Sequence, residues 1–122
     1  GPLKNIVEDI QISKTRVSFF VDPIPEHIES IKKVGADRIE LYTGPYALKP
    51  TPEVLADYKS AYNYANDLGL GINAGHDLDL NNLKPFLENI PADEVSIGHA
   101  LISDALIYGL EIATKKYLDL CK

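Results

Sequence analysis

The chain has three histidines, and two of them stand directly after glycine: His76 in "INAGH" (72–76) and His99 in "SIGHA" (96–100). Each closes a short apolar run. Imidazole titrates near neutral pH, so His76 can serve as a general acid or base. Gly75 permits a turn or a close approach that a side chain would block. The plainer alternative is a strand-end histidine hydrogen-bonded to structure. Gly98-His99, ahead of an apolar helical stretch, can expose backbone N–H groups to a phosphate, or it forms only a tight turn. Glu40 is a carboxylate inside the apolar segment "DRIELY" (37–42). If buried it needs a partner or a shifted pKa; if it faces water it pairs with a Lys or Arg. Thr43-Gly44-Pro45 just beyond is a turn by composition, or a ligand loop.

These residues need elements to hold them. "RVSFFVD" (16–22), "DRIELY" (37–42), "GLGINAG" (69–75) and "EVSIGH" (94–99) read as short buried strands. Their near-continuous apolar character suits a parallel sheet covered on both faces. Pro25 opens the helix "PEHIESIKKV", and Gly35 stops it. Thr51 is a good N-cap, Pro52 fits the first helical position, and an apolar stripe from Val54 to Leu68 ends at Gly69. Asn81 can cap a shorter helix through Leu83, Phe86 and Leu87. A further helix is expected from Ser103 to Leu120, and another over Leu3 to Ile12. "GADRIEL" (35–41) and "PADEVSI" (91–97) echo one another, each passing through Ala-Asp into a strand.

The order is one helix and then four βα units, which implies parallel strands joined by right-handed crossovers. An eight-stranded barrel takes about 250 residues; this chain has 122, read as a single domain with half the βα units. Strand alternation sets Glu40 and Tyr42 on one face and Ile39 and Leu41 on the other. In a barrel the apolar pair suits the helix side, so Glu40 points inward. Function in such folds gathers beyond the C-terminal strand ends. Asp22, Glu40, Asn73 with His76, and Gly98 with His99 all qualify for that rim.

Composition narrows the rest. Hydrophobic residues make up 45% and charged ones 25%, as in ordinary globular domains. A net charge of −6 speaks against a nucleic-acid surface, though not against a small phosphorylated ligand. No apolar run reaches the roughly 20 residues of a bilayer span, so no membrane is expected. Cys121 is the only cysteine, which leaves no disulfide framework and points to a reducing cytoplasm. "DLDLNNLKPFLE" (77–88) mimics calcium-loop spacing but has Asn82 where glycine is needed and Pro85 within the loop. His76 and His99 lack a third ligand at a recognisable spacing, so no metal is expected.

"VSFFVDP", "GADRIELYTGPYA", "LGLGINAGHDL" and "VSIGHALISDAL" follow one another along the chain. With these stretches the sequence resembles the pyridoxine 5′-phosphate synthase family of vitamin B6 biosynthesis. The resemblance covers nearly the whole chain but only the C-terminal half of the family's TIM (β/α)8 barrel. The fold it implies is α/β, a half-barrel of parallel βα units with a leading helix. The activity it implies is a transferase reaction. 1-Deoxy-D-xylulose 5-phosphate condenses with 3-amino-2-oxopropyl phosphate to give pyridoxine 5′-phosphate, phosphate and water, with no cofactor or metal.

By motif position, His76 matches the proton-donating histidine and Glu40 a carboxylate that stabilises the transition state. Asp77 takes a substrate-contact position, and Gly98 with His99 a phosphate-contact pair. Two positions depart from the family: Asp77 where glycine is frequent, and Tyr42 where many members have histidine. The family's N-terminal half supplies histidine and glutamate general bases. The chain alone is therefore expected to be inactive, with the N-terminal half-barrel and further copies of itself as partners beside the phosphorylated substrates. Two other readings stay open: a non-catalytic half-barrel that self-associates, and an unrelated phosphosugar-binding α/β domain.

Overall fold

The computed structural model describes residues 1–122. Helix α1 (Pro2–Ile12) leads into strand β1 (Ser18–Val21). The chain continues through α2 (Pro25–Lys33), β2 (Arg38–Tyr42), α3 (Gly44–Leu48), α4 (Pro52–Asp67), β3 (Gly71–Gly75), α5 (Leu83–Asn89), β4 (Glu94–Ser96), α6 (His99–Tyr108) and α7 (Leu110–Leu120). The strands form one parallel sheet in the order β1-β2-β3-β4. Local chemistry sets the ends of α2 and α4. Pro25 opens α2, with Glu26 in its first turn and Lys32 and Lys33 in its last, which suits the helix dipole. The Thr51 hydroxyl accepts the Val54 N–H at 3.3 Å to cap α4. Gly35 (φ +89°) and Gly69 (φ +76°) take the left-handed conformation that ends α2 and α4.

The helices that build the core pack on one side of the sheet. Ile39, Leu41, Ile72 and Ala74 are buried there with Ile28 of α2, Tyr58, Ala61 and Ala65 of α4, Leu83 and Phe86 of α5, and Tyr117 of α7. The expectation of two covered faces is not met. β2 alternates half-buried and buried residues along its length, and the second face is polar and open. It carries Ser18, Arg38, Glu40, Asn73, Glu94 and Ser96, with Phe20 exposed among them. Register sets Glu40 beside Phe20 on one side and Asn73 on the other, and aligns Asn73 with Glu94.

At the strand starts this open face is cross-linked. Arg38 donates from Nε and Nη2 to Asn73 Oδ1 (3.1 and 2.9 Å), and the Asn73 amide donates to Glu94 Oε2 (3.2 Å). Arg16, ahead of β1, pairs with Glu94 on β4 at 3.5 Å. Gly71 makes room for this, since a Cβ there would lie 2.7 Å from the Arg38 guanidinium carbon. The Ala-Asp echo has a structural basis. Asp37 accepts the Val17 N–H at 2.9 Å and Asp93 accepts the Ile72 N–H at 2.8 Å. Each aspartate thus fastens the start of the strand before its own. Hydrogen bonds from Val17 and the Gln11 amide hold the Asp37 carboxyl below the usual carboxylate range.

Three further expectations are corrected. The tail is two helices, because the backbone of Gly109, at φ +85° and ψ 152°, ends α6 and starts α7. The residue flanking α5 is Asn82 rather than Asn81, and its side chain accepts from the Asp79 N–H instead of capping the helix. Thr43-Gly44-Pro45 opens a five-residue helix, α3, rather than a simple turn. No helix is long and apolar enough to cross a membrane.

Candidate active site

A cavity of about 1020 Å³ opens over the C-terminal ends of the strands. It touches Phe20 of β1, Glu40 of β2 and Ser96 of β4, so the uncovered face is concave there. His76, Asp77, Gly98 and His99 line the same space. Glu40 is half-buried, while His76, Asp77 and His99 are exposed to the cavity. Gly75 is next to His76 for a steric reason. A Cβ at Gly75 would lie 2.9 Å from Glu40 Oε2 and 3.1 Å from the Ser96 Cβ. Glycine therefore clears the floor on which the Glu40 carboxylate rests, and the Ser96 hydroxyl donates to that carboxylate at 3.4 Å.

The turn after β3 carries unusual backbone. His76 has φ +103° and Asp77 φ +58°, two consecutive non-glycine residues in the left-handed region. Such conformations persist only where surroundings enforce them, and they gather at functional sites. Here the enforcing group is Thr43, whose side chain is fully buried. Its N–H donates to the Gly75 carbonyl at 3.0 Å and its hydroxyl to the His76 carbonyl at 2.6 Å. The Asn82 amide donates to the Asp77 carbonyl at 3.1 Å, and Tyr46 of α3 donates to the Asn82 carbonyl at 2.7 Å. Asp77 Oδ2 lies 2.9 Å from His76 Nδ1. The Tyr42 ring meets the His76 ring edge to face, with centroids 4.7 Å apart. Gly44 leaves space for that tyrosine, since a Cβ there would lie 2.6 Å from its ring.

Gly98 precedes α6, a ten-residue helix whose first N–H groups have no partner within the helix. A Cβ at Gly98 would meet nothing within 4 Å, so the glycine borders open space. The chemistry available is a carboxylate, an imidazole and a helix N-terminus around one concave space. No group of three or more His, Cys, Asp or Glu side chains is placed to hold a metal ion.

The family model described as "Pyridoxal phosphate biosynthesis protein PdxJ" matches residues 1–122. The chain belongs to this family. A pyridoxine 5′-phosphate synthase of Christiangramia forsetii is 48% identical over 98% of the chain, which covers 52% of that relative. One from Cytophaga hutchinsonii is 52% identical over 95% of the chain and 50% of the relative. One from Flavobacterium johnsoniae is 49% identical over 98% and 52%. The chain spans about half the length of the curated relatives it matches.

In this PdxJ-family chain the residues singled out by sequence divide in two. Glu40, His76, Asp77, Gly98 and His99 share the cavity. Asp22 follows β1 but does not line the cavity, and Asn73 sits deeper, tied to Arg38 and Glu94. Thr43 as a clamp and Ser96 as a partner of Glu40 emerge from the structure. Ser96 was within reach: alternation about Val95, whose side chain packs against the core, turns it to the open face. Thr43 carried no such signal, because its partner is a carbonyl 33 residues away.

Proposed function

We propose that this chain provides one half of a pyridoxine 5′-phosphate synthase (β/α)8 barrel. Its reaction would be the condensation of 1-deoxy-D-xylulose 5-phosphate with 3-amino-2-oxopropyl phosphate. The observation that carries this reading is the meeting of Glu40, His76 and the Gly98-His99 helix start around one cavity, in a chain whose relatives bear that enzyme's name. His76 donates protons to departing oxygens. The Glu40 carboxylate, on the barrel's inner face, stabilises cationic imine-like species. The N–H groups at Gly98 and His99 hold a substrate phosphate and so orient it. Asp77 contacts substrate through its backbone.

Closure of the barrel comes from four further βα units, the N-terminal half, which bring the general bases. They also cover the polar face and Phe20, which is 70% exposed. The assembly works in the cytoplasm and forms a homo-oligomer. α6 favours self-association because it buries no residue and leaves Ile102, Leu106 and Ile107 exposed.

The test mixes this chain with a chain carrying the other four βα units and follows pyridoxine 5′-phosphate formation from the two substrates. The mixture makes product and each half alone does not. Full turnover by this chain alone contradicts the division of labour. A well-folded mixture that binds neither substrate contradicts the synthase reading and leaves a different phosphosugar ligand.

A further inference from the structure

The Asp77 carboxylate lies in the cavity beside the helix start read above as a phosphate site, where a free negative charge would repel the ligand. It is not free. Oδ2 lies 2.9 Å from Nδ1 of the neighbouring imidazole. The pair forms because both residues take left-handed backbone, held by Thr43 and Asn82 at the two carbonyls.

We infer that Asp77 is a positioning residue that holds His76 with its proton on Nδ1 and leaves Nε2 as the nitrogen that exchanges protons with substrate. The inference rests on the reading of His76 as the proton donor. A carboxylate is an acceptor only, so the nitrogen facing it must carry hydrogen. When the ring is charged, Nε2–H is the remaining donor, and Asp77 balances the imidazolium. After the proton passes to a departing oxygen, the ring is neutral with Nδ1–H still bound to Asp77. Orientation of a histidine by a carboxylate behind it is a recurrent arrangement in acid–base catalysis. Glu40, Asp79 and His99 also line the cavity, and Tyr42 packs on the ring. Of these groups, only Asp77 is in hydrogen-bond contact with a His76 ring nitrogen. The same contact occupies the carboxylate, which lowers its repulsion of a phosphate.

The ring proton can be located without turnover. Imidazole nitrogen–proton correlation spectra of the whole chain, recorded where His76 is neutral, distinguish the two tautomers. The expected result is Nδ1–H in the unmodified chain and a shift toward Nε2–H in Asp77→Gly, a variant that suits a φ of +58°. His76 found as Nε2–H in the unmodified chain overturns the inference. In the two-half assembly, Asp77→Gly and the charge-free Asp77→Asn lower kcat about two- to fivefold with KM changed less than about 1.5-fold, as expected for a half-exposed pair. An unchanged kcat overturns the inference even where the tautomer is as expected. His76→Asn is the separate test of the proton-donor reading, so failure of the pair and failure of that reading are distinguishable.

Discussion

At the scale of single residues, the candidate site depends on two small neighbours of Glu40 and His76. Gly75 lies outside the left-handed region, so its backbone tolerates alanine, but the added methyl meets Glu40. Gly75→Ala therefore turns the Glu40 carboxylate aside and lowers turnover of the two-half assembly by about tenfold or more. Its stability changes by only about 1 kcal/mol, because lost chain entropy offsets the crowding. Steady-state kinetics beside thermal melting separate the two effects. Thr43→Val removes the hydroxyl that restrains the His76 carbonyl and leaves a polar group unsatisfied. The expected cost is about 1–3 kcal/mol in denaturant unfolding, with lower kcat, and Thr43→Ser restores most of both. Glu40 was legible from alternation alone, since Ile39 and Leu41 had to face the helices. Thr43, and the Asp77–His76 contact, were not. They depend on backbone angles and on strand register, which a linear pattern does not contain.

At the scale of elements, Gly109 separates α6 from α7. Its φ of +85° with ψ of 152° is a region essentially reserved for glycine. Gly109→Ala costs about 1–3 kcal/mol and loosens the Tyr117 hydroxyl from Asp104, now 2.6 Å apart; urea unfolding measures the loss. The strands and the ends of α2 and α4 were legible because Pro25, Thr51-Pro52, Gly35 and Gly69 are local signals. The tail was misread because its apolar spacing runs through Gly109 unbroken. α3 was missed because five residues are too few to show a helical period. The Ala-Asp echo was visible in sequence, but its cause lies in backbone N–H groups on the preceding strands.

At the scale of the whole molecule, the core carries a pH limit. Tyr58 packs against Tyr46 and Phe86 and donates to the Tyr42 carbonyl, behind the site. Burial pushes its phenol up to about 12. A raised value means that the protonated form is favoured on folding, so this contribution is complete below about pH 10. It falls as pH rises from 10 toward 12. Melting temperature should drop across that window, and less steeply in Tyr58→Phe. The open polar face poses the larger question. Arg16, Arg38, Asn73 and Glu94 cross-link its floor, and the cavity above is bounded on this chain's side only. In the proposed synthase, His76 is the proton donor of a reaction completed when that face is closed. The most direct measurement is the rate of pyridoxine 5′-phosphate formation by the two-half assembly with His76 and with His76→Asn. A loss of about 10²- to 10⁴-fold is predicted; an equal rate from the asparagine variant would contradict the account.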